Sequence, residues 1–151
     1  MLNDLKCFWS EGCTRWCDIR GELHRLDGPA VIYDNGEIQW WVDGKLHRLD
    51  GPAIEQTNGQ KEWWVDGELH RSNGPAIERN DYRKWYVNGK LHRLDGPAIE
   101  YVSGLKEWCI SGEYVSKQDF NSAVISFLLN CDKKNALVLR NIIQTHREHD
   151  V

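Results

Sequence analysis

The sequence predicts a mainly β fold: an elongated single-layer antiparallel sheet of stacked β-hairpins, closed by a C-terminal helical cap and so α+β overall. Three observations predict it. The stretches GELHRLDGPA, GKLHRLDGPA, GELHRSNGPA and GKLHRLDGPA begin at Gly21, Gly44, Gly67 and Gly89, and with Gly112 they set a period of 23, 23, 22 and 23 residues. A fixed period of this length marks an array of supersecondary units. Each unit contains two extended stretches around a turn, and from Ser116 onward the spacing of apolar residues becomes helical.

The elements follow in order along the second unit, GKLHRLDGPAIEQTNGQKEWWVD from Gly44 to Asp66. GPAIE is a short strand, TNG a hairpin turn, and QKEWWVDG a second strand rich in aromatic and β-branched residues. The turn glycines Gly36, Gly59 and Gly104 are expected at positive φ, as are Gly44, Gly67, Gly89 and Gly112 at the next bend. All four prolines, Pro29, Pro52, Pro75 and Pro97, stand where the first strand begins, a place that tolerates a missing N–H.

Residues 7–20 read as half a unit, with Cys7-Phe8-Trp9 and Arg15-Trp16-Cys17 as strands around Gly12. Full units then span 21–43, 44–66, 67–88 and 89–111, so the array occupies 1–115 and the cap 116–151 of one domain. In the cap, Ser116 and Asp119 form a helix-capping pattern. Phe120, Ala123, Val124, Phe127 and Leu128 fall on one helical face, and a second helix is expected after Asp132, with Leu139, Ile142, Ile143 and His146 on its apolar stripe.

Composition narrows the function. With 19 Lys and Arg against 23 Asp and Glu, the net charge of -4 argues against a surface built for nucleic acid or anionic lipid. No apolar run approaches the roughly 18 residues of a membrane span, and MLNDLKCFWS is not a secretory leader. The expectation is a cytoplasmic protein with reduced thiols. Cys7, Cys13 and Cys17 lack a CxxC pair, and no nearby His completes a zinc set, so packing is the better role for them and no metal or cofactor is expected.

The bends Asp43-Gly44-Lys45-Leu46-His47 and Asn88-Gly89-Lys90-Leu91-His92, each after an aromatic strand, resemble the MORN repeat over roughly residues 12 to 113. The chain departs from that pattern where Arg-Leu-Asp-Gly-Pro-Ala follows the His. This LHRxDGPA variant is similar to repeats in proteins of large DNA phages and giant viruses. The resemblance implies a long sheet of stacked hairpins and a scaffolding or binding role. In its most specific form it implies a phage-encoded inhibitor of a host defence protein, acting in the host cytoplasm.

The chemistry-bearing residues form columns. His24, His47, His70 and His92 recur once per unit, about 10 Å apart if each unit adds two strands, too far to share a metal ion. Each imidazole is expected to bridge its bend to nearby backbone or to Asp27, Asp50, Asn73 or Asp95. Arg25, Arg48, Arg71 and Arg93 form a parallel column, and the acid two residues on neutralises all but Arg71.

There is no GxSxG, HExxH or phosphate loop, and an active site needs one unique constellation rather than a column, so no catalytic residue is expected. Alternation places Trp40, Trp63, Trp85 and Trp108 on one face with Val42, Val65, Val87 and Ile110. Trp41, Trp64, Tyr86 and Cys109 fall on the other. Partner-binding candidates are Trp41, Trp64 and Tyr86, Arg71 of the arginine column, and positions that break the repeat: Ser72, Asn73, Tyr82, Arg83 and Tyr101.

The expected function is non-enzymatic protein binding, since Tyr, Trp and Arg anchor interfaces. The alternative is a module that holds a small nucleotide-like anion between units. Open sheet edges would also permit a homodimer.

Overall fold

The structure, a computed structural model, describes residues 6–10 and 12–131. The second helix expected after Asp132, with Leu139, Ile142, Ile143 and His146, lies outside these residues, as does the side chain of Cys7.

The chain opens with a hairpin, β1 (Lys6–Ser10) and β2 (Cys13–Cys17). The first full unit follows as β3 (Val31–Tyr33), β4 (Ile38–Gln39), β5 (Trp41–Val42) and β6 (Lys45–Leu46). The second is β7 (Ile54–Glu55), β8 (Lys61–Glu62), β9 (Trp64–Val65) and β10 (Glu68–Leu69). The third is β11 (Ile77–Glu78), β12 (Tyr82–Lys84), β13 (Tyr86–Val87) and β14 (Lys90–Leu91). Then come β15 (Ile99–Tyr101), β16 (Lys106–Ile110), β17 (Glu113–Val115) and the helix α1 (Phe120–Asn130).

The expected long antiparallel sheet is present. It has 11 strands in the order β1-β2-β3-β4-β7-β8-β11-β12-β15-β16-β17, so each full unit contributes one hairpin to it. The second strand of a unit is not continuous, however. It breaks at Trp40, Trp63 and Trp85, and the residues beyond form separate hairpins, β5 with β6, β9 with β10 and β13 with β14.

The break follows from where each Trp peptide sends its hydrogen bonds. The Trp40 N–H donates to the Ala53 carbonyl of the next unit, while its own carbonyl accepts the N–H of His47. Trp63 and Trp85 repeat this with Ala76 and His70, and with Ala98 and His92. One peptide thus belongs to the sheet on one side and to the hairpin on the other. The hairpins are also stitched to each other, because Gly67 donates to the Leu46 carbonyl and Arg48 to the Trp64 carbonyl.

The tip of each separate hairpin is a two-residue loop with both residues at positive φ: Asp43-Gly44, Asp66-Gly67 and Asn88-Gly89, with Asp43 at 48° and Gly44 at 70°. That is the turn whose twist suits a tight hairpin, and an Asp-Gly or Asn-Gly pair adopts it at least cost.

The core is thin. Ala30, Ala53, Ala76 and Ala98 are fully buried, and with Val31, Ile77 and Ile99 they run through the array as a narrow apolar spine. The largest cluster lies at the C-terminal end. There Phe120, Val124 and Leu128 of α1 pack with Ile110, and Leu94, Trp108 and Val115 close around them. Ser116 and Asp119 do bond to each other, the Ser116 hydroxyl accepting the Asp119 N–H at 3.2 Å. They sit in the turn ahead of α1, and Asp119 supplies no side-chain cap to its first turn.

Candidate functional site

The two columns that looked most like chemistry are held by the units themselves. Each Arg lies over the ring of a Trp, with Cζ to centroid distances of 4.2 Å for Arg25 on Trp16, 4.0 Å for Arg48 on Trp40, 3.7 Å for Arg71 on Trp63 and 4.0 Å for Arg93 on Trp85. The other face of the guanidinium lies against the glycine of GPA: a Cβ built on Gly51 would sit 2.7 Å from Arg48 Cζ.

The edge of the guanidinium is engaged as well. Arg48 Nη1 donates to the Pro52 carbonyl at 3.1 Å and to Glu55 at 2.9 Å, and Nε donates to Asp50 at 2.9 Å. The neutralisation expected for Arg25, Arg48 and Arg93 is present, and the Arg25 and Arg48 guanidiniums, by hydrogen bond and charge, hold Asp27 and Asp50 below the usual carboxylate range. Arg71 keeps its bonds to Pro75 and Glu78, but residue 73 is asparagine and the Nε bond of the other three is missing.

The histidines bond to neighbouring backbone, as one expectation had it, and not to Asp27, Asp50, Asn73 or Asp95. Asp27, Asp50 and Asp95 are engaged by the arginines, and each imidazole reaches across to the tip of the next hairpin instead. Nδ1 of His24 accepts the Asp43 N–H at 3.1 Å with the Asp43 carboxylate at 2.9 Å, and His47 does the same with Asp66. His70 meets Asn88, and His92 accepts the Ser111 N–H at 3.0 Å. The bend at residues 21–30 is therefore a latch between successive hairpins. Among the described residues, no group of three His, Cys, Asp or Glu side chains is placed to hold a metal ion.

What the latches leave open is a row of sockets on the Arg side of the array. The second socket is formed by Leu49, Trp63, Val65 and His70 and holds a cleft of about 360 Å³. The third, around Ser72, Trp85, Val87 and His92, holds about 630 Å³. The same positions in the first unit are Leu26, Trp40, Val42 and His47.

In the fourth unit they are Leu94, Trp108, Ile110 and Val115, which are the residues that α1 packs on. Leu26 and Leu49 stand 73% and 80% exposed, whereas Leu94 is partly buried against the α1 cluster. Sequence reasoning missed these leucines because neither strand alternation nor charge singles them out. The available signal was a Leu held in the bend of three units and exchanged for Ser72 in the remaining one.

The residues selected from the sequence do not form one site. Arg71, Ser72 and Asn73 line the sockets, and Arg83 lies cross-strand from Glu78 and Glu100, the carboxylates that hold Arg71 and Arg93. Trp41, Trp64, Tyr82, Tyr86 and Tyr101 belong to the opposite side. There the Trp41 indole donates to Gln39 and the Trp64 indole to Glu62, both at 3.0 Å, and both rings are half-buried.

Tyr82 and Tyr101 meet edge to face at 6.2 Å. Burial raises the phenol pKa of Tyr86, Tyr101 and Tyr114, and hydrogen bonding to Glu107 adds to the rise for the last two. Cys17 and Cys109 are buried thiols whose pKa burial also raises, which makes them poor nucleophiles.

Among the described residues no helix is long and apolar enough to cross a membrane. Compared with known proteins, the chain matches no protein-family model, no curated protein and no solved structure.

Proposed function

We propose that the chain is a non-enzymatic binding protein whose array of hairpins presents a surface to another protein. The observation that carries this reading is the contrast within one column. The recurring Arg and His side chains are held inside the fold, while Leu26 and Leu49 between them stand in solvent. A repeated charged column that is internally satisfied supports architecture, and an apolar residue repeated in solvent supports a partner.

The MORN-like character of the units, a viral origin and the inhibition of a host defence protein belong to the same proposal and rest on the motif resemblance. A cytoplasmic site of action, argued from composition, and a homodimer, argued from open sheet edges, belong to the proposal as well. Capture from a host lysate on the immobilised chain, followed by rebinding of the purified candidate, tests the reading. A partner that rebinds at micromolar concentration is expected, and none at that concentration would sink it.

One observation favours the anion alternative. Within the arginine column, Arg71 lacks the carboxylate that the other three hold on Nε, and it borders the third socket beside Ser72 and Asn73. A nucleotide or pyrophosphate held there would raise the melting temperature of the natural chain and not of the Asn73→Asp variant. An equal response from both chains would remove this alternative.

A further inference from the structure

We propose that the first and second sockets, around Leu26 and Leu49, bind an amphipathic helix of another protein flanked by Lys or Arg. The inference rests on the protein-binding reading above and gives the partner its chemistry.

The chain itself shows what such a socket takes. α1 fills the fourth socket with Phe120, Val124 and Leu128, spaced four residues apart and buried to 6%, 3% and 4% exposure against Ile110. Leu94 and Trp108 pack around them, and Phe127 reaches the His92 ring at 5.1 Å.

The first and second sockets keep the Leu and the Trp of the fourth at the same unit positions, with Val in place of Ile110 and His in place of Val115, and their Leu26 and Leu49 are uncovered. Each is therefore an unfilled copy of an interface already formed within this fold. The third differs, since Ser72 replaces the leucine and its His92 already touches Phe127.

Charge sets the flanks of the partner. Arg48 and Arg71 border the second socket and are outnumbered by the three carboxylates bonded to them, Asp50, Glu55 and Glu78, with Asp50 standing 84% exposed at its rim. The α1 sequence carries no acidic or basic residue in its end turns, so an external helix gains a complementarity there that α1 does not use.

The test titrates a synthetic peptide into the isotope-labelled full chain. The peptide has the Phe120–Asn130 sequence with lysine at the outward positions matching Asn121, Ser122, Ile125 and Ser126. The indole N–H signals of Trp40 and Trp63 are expected to move while that of Trp108 stays. Leu49→Ser, at an exposed position, should weaken binding by about tenfold, the effect of losing one buried leucine. A peptide without the lysines should bind more weakly at low salt, and the difference should shrink as salt is added.

Equal affinity for Leu49→Ser, shifts confined to the Trp64 side, equal binding of the uncharged peptide or no shift at millimolar peptide would each overturn the proposal. Nuclear Overhauser contacts between the Leu49 methyls and residues 132–151 would assign the sockets to the chain's own C-terminal segment, and would overturn it too. A captured protein that binds the Leu26→Ser, Leu49→Ser double variant as well as the natural chain would overturn this inference alone and leave the protein-binding reading standing.

Discussion

Gly51→Ala places a methyl group where the Arg48 guanidinium lies, 2.7 Å from Cζ. Either the arginine leaves its Trp40 ring or the bend shifts, and overpacking of this kind costs about 1–3 kcal/mol. The clash has one partner, so it should vanish when that partner is removed. Urea unfolding should show a clear loss for Gly51→Ala in the natural chain and little further loss in an Arg48→Ala background. Equal losses in both would mean that the glycine is needed for its backbone alone.

At this scale the sequence was partly legible. The acid two residues after Arg25, Arg48 and Arg93 was read correctly because the contact is local. The backbone contact of the His was expected, but its side-chain partner was misread because Asp43 lies nineteen residues from His24 and reaches it only through the stacking of hairpins.

The hairpin is the element whose geometry the sequence stated most openly, through Asp-Gly and Asn-Gly pairs at a fixed period. The break at Trp40 was hidden. Alternation continues through it, and only the carbonyl of Ala53, in the next unit, draws that peptide out of line.

α1 adds a pH-sensitive contact. Burial holds the His92 pKa below its ordinary value of about 6.5, and Nδ1 is already occupied as an acceptor for the Ser111 N–H. A base whose folded pKa is depressed contributes stability that is present above its unfolded pKa and is lost as the pH falls through the folded one. The chain should therefore lose stability as the pH drops below about 6.5. His92→Asn, which keeps an acceptor near Nδ1, should flatten the part of the profile that His92 contributes. Denaturant midpoints at several pH values check this, and an unchanged slope in the variant would show that the slope arises elsewhere.

Across the whole molecule, the pattern of bonds is that of a chain of neighbours. Trp16 bonds to Ala30, Trp40 to Ala53, Trp63 to Ala76 and Trp85 to Ala98, each reaching one unit onward. The apolar spine is equally thin, with one buried alanine per unit at its centre. Stability in such an array approaches a sum of unit terms and nearest-neighbour terms, so damage should spread unevenly.

Gly96→Ala provides the test, because its Cβ would lie 3.0 Å from Arg93 Cζ, in the unit that carries α1. Amide hydrogen exchange should accelerate at Trp85 and His92, about tenfold for each 1.4 kcal/mol lost locally. The amides of Trp16 and His24, at the other end of the sheet, should keep their protection. Equal acceleration at both ends would mean that the array opens as one cooperative block, and the sockets could then not respond to a ligand independently. Unequal acceleration would mean that the first and second sockets can be ordered by a partner without any change at α1.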